Sequence, residues 1–501
     1  MNLATIVDPH PPDSPALVSH GRTTTYGELR QQVGRLRGGL VARGIEGGDR
    51  VAIVAGATPT FVIAYLAVLG AGAVAVPLNP TAPARALRTE LVEVGARAAV
   101  VGPAGAGSFA GIDRVTVPAL ELVVVDGAGA EAVPDGIVGI DELLATEPVP
   151  VVERAADDLA VLIFTSGTAG SPRAAMLGHG NLLANLGQLQ ALEARALRPD
   201  DVSYCALPLF HIFGLNVILG LGLYSGSSVV LAERFEPGAA ADTVAAEGVT
   251  VVAGAPAMWS AWARLEEPSL RDRFATVRLA ASGAAKLALD VRDAVRDRLD
   301  LEVIEGYGLT EASPVVTSAL GRGAKAGSIG VPLPGVEVRL VDAGGDDVLV
   351  GDPGELWVRG PNVFAGYWGD AETPAGVLTT DGWLRTGDVG VVDDDGDLFL
   401  VDRAKDLVIV SGFNVYPAEV EEVLVEHPAV AAAAVVGVVD PHTGEAVKAF
   451  VVVRAGASVD AGELIAHCAA NLARYKCPET VAFVDGLPVG LGGKVQRWAL
   501  R

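Results

Sequence analysis

Cysteine is scarce in this 501-residue chain: Cys205, Cys468 and Cys477 form an odd set without CxxC spacing. That excludes a disulfide framework and a cysteine-based zinc site, and it suits a reducing cytoplasmic compartment. The seven histidines supply no HxxxH pair. Basic residues are in deficit, 37 against 61 acidic ones, for a formal charge of −24. A nucleic-acid backbone or anionic lipid surface needs clustered Lys and Arg to displace its counterions, so neither is expected as a partner. Any anionic ligand must meet locally gathered positive charge. The opening MNLATIVDPHPPD has no basic segment and too short an apolar patch for a signal peptide, so export is not expected.

Two stretches, 51–84 and 204–232, contain no Asp, Glu, Lys or Arg, and a hydropathy scan flags both as spans. The first is cut by Pro59, Gly70, Gly72 and Pro77. It reads as a buried helix, FVIAYLAVLG, a turn and a buried strand, AVAVPL. The second is broken at Pro208, Gly214, Gly220, Gly222 and Gly226, so neither is expected to cross a membrane.

The chain exceeds the roughly 250–300 residues at which one core stops growing, so at least two domains are expected. Short β-branched runs (VAIVA, AAVV, AVLIFT, SSVVLA, VTVVAG and TVRLAASG) alternate with Ala-, Leu- and Arg-rich helical stretches. That alternation predicts an α/β fold with parallel sheets between helices. Near residue 330 the texture changes to Gly-Asp turns and alternating strands such as GELWVRG and GDLFLV, which predicts an antiparallel region. The charged pentad Asp402 to Asp406 between two apolar tetrads marks a domain joint. Beyond it, Tyr416-Pro417-Ala418-Glu419 opens a helix in the first of several helix–strand units, enough for a small separate domain.

The strongest chemical feature follows AVLIFT: Thr165-Ser166-Gly167-Thr168-Ala169-Gly170-Ser171-Pro172-Arg173. Small residues let backbone amides close around an anion, hydroxyls add donors, and Arg173 supplies charge for a polyphosphate. The loop lacks the GxxxxGK[ST] pattern of a Walker A motif. By composition alone such a segment is also an ordinary loop.

The segment resembles the phosphate-loop signature of the adenylate-forming superfamily, which includes acyl-CoA synthetases, 4-coumarate-CoA ligases, luciferase and peptide-synthetase adenylation domains. Matching motifs follow in that family's order: Tyr26-Gly27-Glu28-Leu29, Gly48-Asp49-Arg50-Val51, Ala71 to Pro80, Pro208-Leu209-Phe210-His211, Gly306-Tyr307-Gly308-Leu309-Thr310-Glu311, Gly382 to Asp388, Asp402 to Asp406, and Gly492-Gly493-Lys494-Val495. The resemblance implies a large N-terminal domain, residues 1–404, of two parallel-sheet α/β subdomains and a small β-barrel-like one. A small mobile α+β C-terminal domain, 405–501, would rotate about Lys405.

It also implies an activity: a carboxylic acid reacts with ATP to give an acyl-adenylate and pyrophosphate, and CoA then displaces AMP to give a thioester. The implied partners are a small-molecule acid, ATP, Mg²⁺ and CoA, with the oligomeric state, monomer or homodimer, left open. Thr165, Ser166, Gly167, Thr168 and Arg173 resemble the phosphate cradle. Tyr307, between Gly306 and Gly308, resembles the aromatic that packs on adenine, with Gly283 and Ala284 at the base's edge. Thr310 and Glu311 resemble the α-phosphate contact and the Mg²⁺ ligand, and His211 lies beside the acid. Asp388 resembles the acceptor of the ribose hydroxyls, with Arg403 its partner. Ser411, Gly412 and Phe413 would line the pantetheine channel. Lys494 resembles the catalytic lysine that bridges acid and α-phosphate. From the residues alone, Tyr307 is a turn tyrosine that serves as core or cap, Glu311 a helix N-terminal acid, Asp388 and Arg403 members of solvated turns, and Lys494 a surface side chain.

Three positions in the phosphate loop depart from the family's pattern: Ala169 for Thr, Arg173 for the commoner Lys, and Ala174 for Gly. A guanidinium fork is bulkier than an ammonium, so pyrophosphate handling is expected to differ, and a weakly active or non-catalytic binder is an alternative. Val489 stands where a basic residue is often found. The expected acid pocket, beside His211, Val251 to Trp259, Ala280 to Ala285 and Gly308 to Pro314, is small and apolar. No acidic residue follows Pro208-Leu209-Phe210-His211-Ile212-Phe213 to hold an ammonium, which disfavours amino acids. Gly254, Ala255 and Ala257 suggest depth for a medium- or long-chain fatty acid, with a cinnamate-type aryl acid as the alternative. The short stretch from Glu311 to Asp388 favours CoA over a carrier protein as acceptor. A dehydrogenase reading of Gly105-Ala106-Gly107-Ser108-Phe109-Ala110 is weakened by Val115 to Pro118, which breaks the helix it requires.

Lys494→Ala should cripple acyl-adenylate formation while sparing thioester formation from supplied acyl-adenylate. Assaying the two halves separately checks this, and equal loss in both would refute the role.

Overall fold

A computed structural model describes residues 1–127, 136–165, 173–192, 197–322, 325–342, 344–370, 374–403, 406–410, 413–440, 444–472, 474–489 and 495–500. The chain divides into two compact units. The first holds Met1–Ala326, Pro332–Glu337 and Arg359–Leu384; the second holds Gly327–Val331, Val338–Val358 and Arg385–Arg501.

The first unit is built on buried parallel strands, as the uninterrupted apolar runs require. In one sheet the order is Ile137–Gly139, Leu122–Val125, Ala98–Val101, Arg50–Val54, Val74–Pro77, Leu159–Thr165 and Arg173–Gly178. All neighbours are parallel except the last pair, a hairpin in which Thr165 lies opposite Arg173. Val51 to Val54 are fully buried, because a sheet covered on both faces has no polar side to alternate with. The helix Pro59–Gly70 starts at Thr58, whose hydroxyl accepts from the Phe61 N–H, and is buried from Phe61 to Gly70. Its uniform hydrophobicity is that of a core helix. No helix among the described residues is long and apolar enough to cross a membrane. The glycine-rich segment after Ala98–Val101 forms only the short helix Pro103–Ala110, where a Cβ on Gly105 would lie 2.4 Å from the Val54 carbonyl oxygen. That glycine serves close helix–strand packing.

A second set of strands in this unit runs Val315–Ser318, Val303–Gly308, Leu279–Ser282, Val251–Gly254, Val202–Cys205, Ser228–Leu231, Pro15–Ser19 and Arg22–Thr25, with antiparallel pairs only at the two ends. Here the 204–232 stretch differs from its reading as a broken segment. A π-helix, Phe213–Gly220, continues directly into the α-helix Leu221–Ser225 and passes through Gly214, Gly220 and Gly222. These glycines do not break the helix; they let it pack. A Cβ on Gly214 would sit 2.5 Å from the Pro208 carbonyl oxygen, and one on Gly222 would sit 2.6 Å from the Val229 side chain. Only Gly226, left-handed at φ 77°, ends it.

The second unit carries the antiparallel region read from the sequence. Leu384–Val392 and Ser328–Pro332 both pair antiparallel with Leu398–Arg403. Farther along, Phe413–Val415, Val408–Val410, Gly444–Val453 and Val430–Asp440 form a sheet joined by Thr480–Phe483. The helices Pro417–Glu426 and Ala461–Asn471 add Val420, Leu424, Leu464 and Cys468 to its core.

One buried histidine makes the first unit pH-sensitive. His179 begins the helix His179–Gln190, is fully buried, and accepts the Leu3 N–H at Nδ1 over 3.0 Å. Burial, then the charge of Arg154, lowers its pKa from 6.5 to about 4. The unfolded chain therefore takes up a proton below its own pKa, while the folded chain resists until the lower value is reached. Stability contributed by the neutral ring is complete above pH 6.5 and is lost as pH falls toward 4. The loss amounts to about 3 kcal/mol. Urea titrations across that window should show the decline, and His179→Asn should flatten it; an unchanged slope would show that the ring does not titrate this way.

Candidate active site

The hairpin formed by Leu159–Thr165 and Arg173–Gly178 presents the two ends of the phosphate loop. The Thr165 hydroxyl donates to the Arg173 carbonyl over 3.3 Å. Ser166, Gly167 and Thr168 lie outside the described residues. Downstream segment 362–370 is laid along the hairpin: the Met176 N–H donates to Gly366 O at 2.9 Å and the Trp368 N–H to Ala174 O at 2.8 Å. This brings up two side chains that sequence reasoning did not single out, Tyr367 and Asp370.

Arg173 then makes two contacts at once. Its guanidinium carbon lies 3.8 Å from the centroid of the Tyr367 ring, and Nη2 lies 2.7 Å from an Asp370 carboxylate oxygen. The Tyr367 hydroxyl in turn donates to Glu311 Oε1 over 2.7 Å, and the Phe364 N–H donates to the Glu311 carbonyl over 2.8 Å. Burial, followed by the Glu311 charge and its hydrogen bond, raises the Tyr367 pKa, while Arg173 opposes the shift. The phenol thus remains a donor. Arg173, Tyr367 and Glu311 form a continuous chain from the loop's end to the expected metal-ligating carboxylate. The available signal was the aromatic group Phe364, Tyr367 and Trp368 followed by Asp370, but no local pattern says that it returns to a loop so far upstream.

Tyr307 lies on the strand Val303–Gly308 rather than in a turn, buried and paired with Thr317. Its glycine neighbours are required by close approach. A Cβ on Gly306 would lie 2.8 Å from Thr317 O, and one on Gly308 would lie 2.3 Å from Pro314 O. Thr310 and Glu311 follow in the short 3₁₀ turn Thr310–Ala312. Gly283 lies under the Phe213 ring, which a Cβ there would meet at 3.0 Å, and Ala284 is left-handed at φ 71°. His211 is solvent-accessible yet hemmed in by protein, and this desolvation lowers its pKa. Its Nδ1 accepts the Phe213 N–H over 3.2 Å, which leaves Nε2 as the donor of the neutral ring. At Gly254 the Met258 thioether lies 3.3 Å from the position of a Cβ.

In the second unit Asp388 and Arg403 are register partners on antiparallel strands, not members of solvated turns. The Asp388 N–H donates to the Thr386 hydroxyl oxygen over 3.1 Å. Phe413 opens the strand Phe413–Val415. Lys405, Ser411, Gly412 and Lys494 lie outside the described residues.

Among the described residues no group of three His, Cys, Asp or Glu could hold a metal ion. A single carboxylate nevertheless fits Mg²⁺, which keeps most of its shell as water and phosphate oxygen. Glu311, held by Tyr367, is the residue that would contribute it.

The hairpin, the Tyr307 strand with its close-packed glycines and the carboxylate held by Tyr367 lie in one α/β unit, the setting expected of an enzyme site. Comparison with known proteins specifies the class further. The AMP-binding enzyme family model matches residues 5–368, and the AMP-binding enzyme C-terminal domain matches 419–494. The chain is 39% identical to a feruloyl-CoA synthase from Amycolatopsis sp over 97% of its length and 95% of the relative's. It is 36% identical to a long-chain-fatty-acid–CoA ligase from Yersinia pestis, covering 98% and 91%. Its structure matches ATP-bound MatB from Rhodopseudomonas palustris with a TM-score of 0.90 at 34% identity, covering 100% and 98%. The chain belongs to the AMP-binding enzymes of the adenylate-forming superfamily, among the AMP-forming acid–thiol ligases.

Tyr367→Phe deletes one hydrogen bond to a charged group, which is worth about 2 kcal/mol. It should lower kcat/KM for ATP by about thirtyfold in pyrophosphate release. Arg173→Lys, which keeps charge but loses the planar stack, should lower it less than Arg173→Ala. Wild-type behaviour of Tyr367→Phe would remove the clamp from the site.

Proposed function

We propose that the protein is an ATP-dependent CoA ligase for an aryl acid of hydroxycinnamate or benzoate type. The observation that carries the acid preference is the Phe213 ring over Gly283 together with the Met258 thioether over Gly254. The Phe213 ring against Gly283 and the Met258 thioether against Gly254 would favour a flat ring over a long acyl chain at the acid's site. The feruloyl-CoA synthase relative supports the same reading.

Acid and polyphosphate carry like charge, and the residues of this chain separate and orient them. The acid's carboxylate oxygen attacks the α-phosphorus, and pyrophosphate leaves. Mg²⁺, when bound, neutralises phosphate charge. The loop ending in Arg173 receives the phosphates, with Tyr367 and Asp370 fixing the guanidinium in one plane. Tyr367 holds Glu311 in a single orientation, so the carboxylate is placed before substrate arrives. Neutral His211 offers Nε2–H toward the acid without adding a charge that would trap the carboxylate in its ground state. Lys494 supplies the positive charge between carboxylate and α-phosphate. In the second half the CoA thiol gives its proton to solvent as its sulfur attacks the acyl carbonyl, the acyl carbon–oxygen bond of the mixed anhydride breaks, and AMP departs with the electron pair. Asp388 receives the ribose hydroxyls, and the cap beginning at Lys405 exchanges Lys494 for the segment Ser411-Gly412-Phe413.

A second reading, a fatty-acid ligase, is favoured by the small side chains of Ala255 and Ala257 and by the long-chain ligase relative. AMP formation with CoA across ferulate, coumarate, benzoate, octanoate and palmitate separates the two. Aryl acids should exceed palmitate by about a hundredfold in kcat/KM, and Met258→Ala should narrow that gap. Palmitate as the best acid would overturn the aryl assignment and leave the ligase reading standing; no AMP with any acid would overturn both.

A further inference from the structure

We infer that three buried asparagines, Asn185, Asn216 and Asn362, are positioning residues for Glu311, acting through the main chain of the turn that carries it. The inference rests on the role proposed above for Glu311, and all its residues lie in the first unit. After the 3₁₀ turn Thr310–Ala312 the chain passes through Ser313, fully buried and left-handed at φ 70°, before it joins the strand Val315–Ser318. Every carbonyl from Ala312 to Val315 has a donor. The Asn362 amide donates to Ala312 O over 2.8 Å, the Asn216 amide to Ser313 O over 2.8 Å, and the Asn185 amide to Val315 O over 2.8 Å. Pro314 O receives the Leu309 N–H at 3.0 Å. Asn185 Oδ1 also accepts the Val315 N–H over 3.1 Å, and the Asn362 amide reaches Val315 O at 3.3 Å.

The three amides come from separate places: Asn185 from the helix His179–Gln190, Asn216 from the π-helix Phe213–Gly220, and Asn362 from the segment that also brings Tyr367. Asn216 donates in addition to Leu182 O over 3.4 Å, which joins the helix to the π-helix. All three side chains are buried. A buried carboxamide is costly unless its hydrogen bonds are made, so apolar side chains would fill a core with less risk. What carboxamides add is direction. A non-glycine residue stays in the left-handed region only where its surroundings hold it there, and Ser313 lies two residues past Glu311. Tyr367 holds the carboxylate end of Glu311 over 2.7 Å, while the asparagines hold the backbone from which that side chain springs. The two supports act on one group from opposite ends. Room for the Asn216 amide is kept by a glycine: a Cβ on Gly220 would lie 2.9 Å from Asn216 Oδ1. Through Asn216 the turn is fixed to the same π-helix that sets Phe213 against Gly283, so the proposed metal carboxylate and the proposed wall of the acid's site share one anchor.

Equilibrium titration of the full-length enzyme with ATP, with and without Mg²⁺, reads Glu311 without needing the acid. Wild type should bind ATP more tightly when Mg²⁺ is present. Asn216→Ala should weaken ATP binding in Mg²⁺ about tenfold, the scale of one buried hydrogen bond, and leave metal-free binding near wild type. Gly220→Ala, which crowds the amide without removing it, should reproduce the selective loss, and Asn362→Ser should show it from a different segment. An amide that merely stabilised the fold would, when lost, weaken binding with and without the metal alike. In a Glu311→Gln background, Asn216→Ala should cause no further loss, because the amide acts through that carboxylate. Thermal melts show which variants are folded; where Asn216→Ala is not, Gly220→Ala and Asn362→Ser must carry the split. Equal weakening in both conditions across the folded variants, no weakening in either, or a full further loss in the Glu311→Gln background overturns the inference. Glu311→Gln alone distinguishes the two levels. If it loses the Mg²⁺-dependent gain and the asparagine and Gly220 variants keep it, only the asparagines' role fails; if it too keeps the gain, the metal role of Glu311 fails and the inference with it.

Discussion

The Tyr367 hydroxyl, donated to Glu311 beneath the Arg173 guanidinium, is the interaction on which the arrangement of the first unit's chemistry depends. It ties the end of the phosphate loop, the turn after the Tyr307 strand and the 362–370 segment into one cluster. A chain of net charge −24 can receive polyphosphate only where positive charge is gathered locally. Arg173 stands at the end of the expected loop, its guanidinium set over the Tyr367 ring and paired with Asp370. A lysine ammonium would have less use for an aromatic plane. The family's usual Lys and this chain's Arg are thus different solutions, the second requiring its own neighbours.

The uncharged stretch around His211 shows how a hydrophobic sequence packs inside an α/β unit. Its π-helix, a geometry frequent at functional sites, carries Phe213 over Gly283 and leaves His211 neutral with a fixed tautomer. The glycines along it are sites of close approach rather than breaks. The same holds at Gly306 and Gly308, where neighbouring carbonyl oxygens occupy the space a Cβ would need.

In the second unit Asp388 and Arg403, which looked like members of solvated turns, are register partners on antiparallel strands. Arg497 is shielded between Asp406 and Glu421, where a guanidinium acquires direction because water is largely excluded.

The sequence by itself determined the elements and the chemistry class. Continuous apolar runs produced the parallel strands because strands covered on both faces admit no alternation, and the ordered motifs from the phosphate loop to Lys494 carried the family. The helix start at Pro417 was legible because an N1 proline acts over one turn of chain. What only the tertiary structure decided were meetings between distant segments: Tyr367 and Asp370 with Arg173, Met258 against Gly254, Phe213 on Gly283, and Arg497 between Asp406 and Glu421. Local propensity and periodicity act over a few residues, whereas these contacts depend on how whole layers pack. That is why the site's residue types could be read from the chain, while the partners that orient them could not.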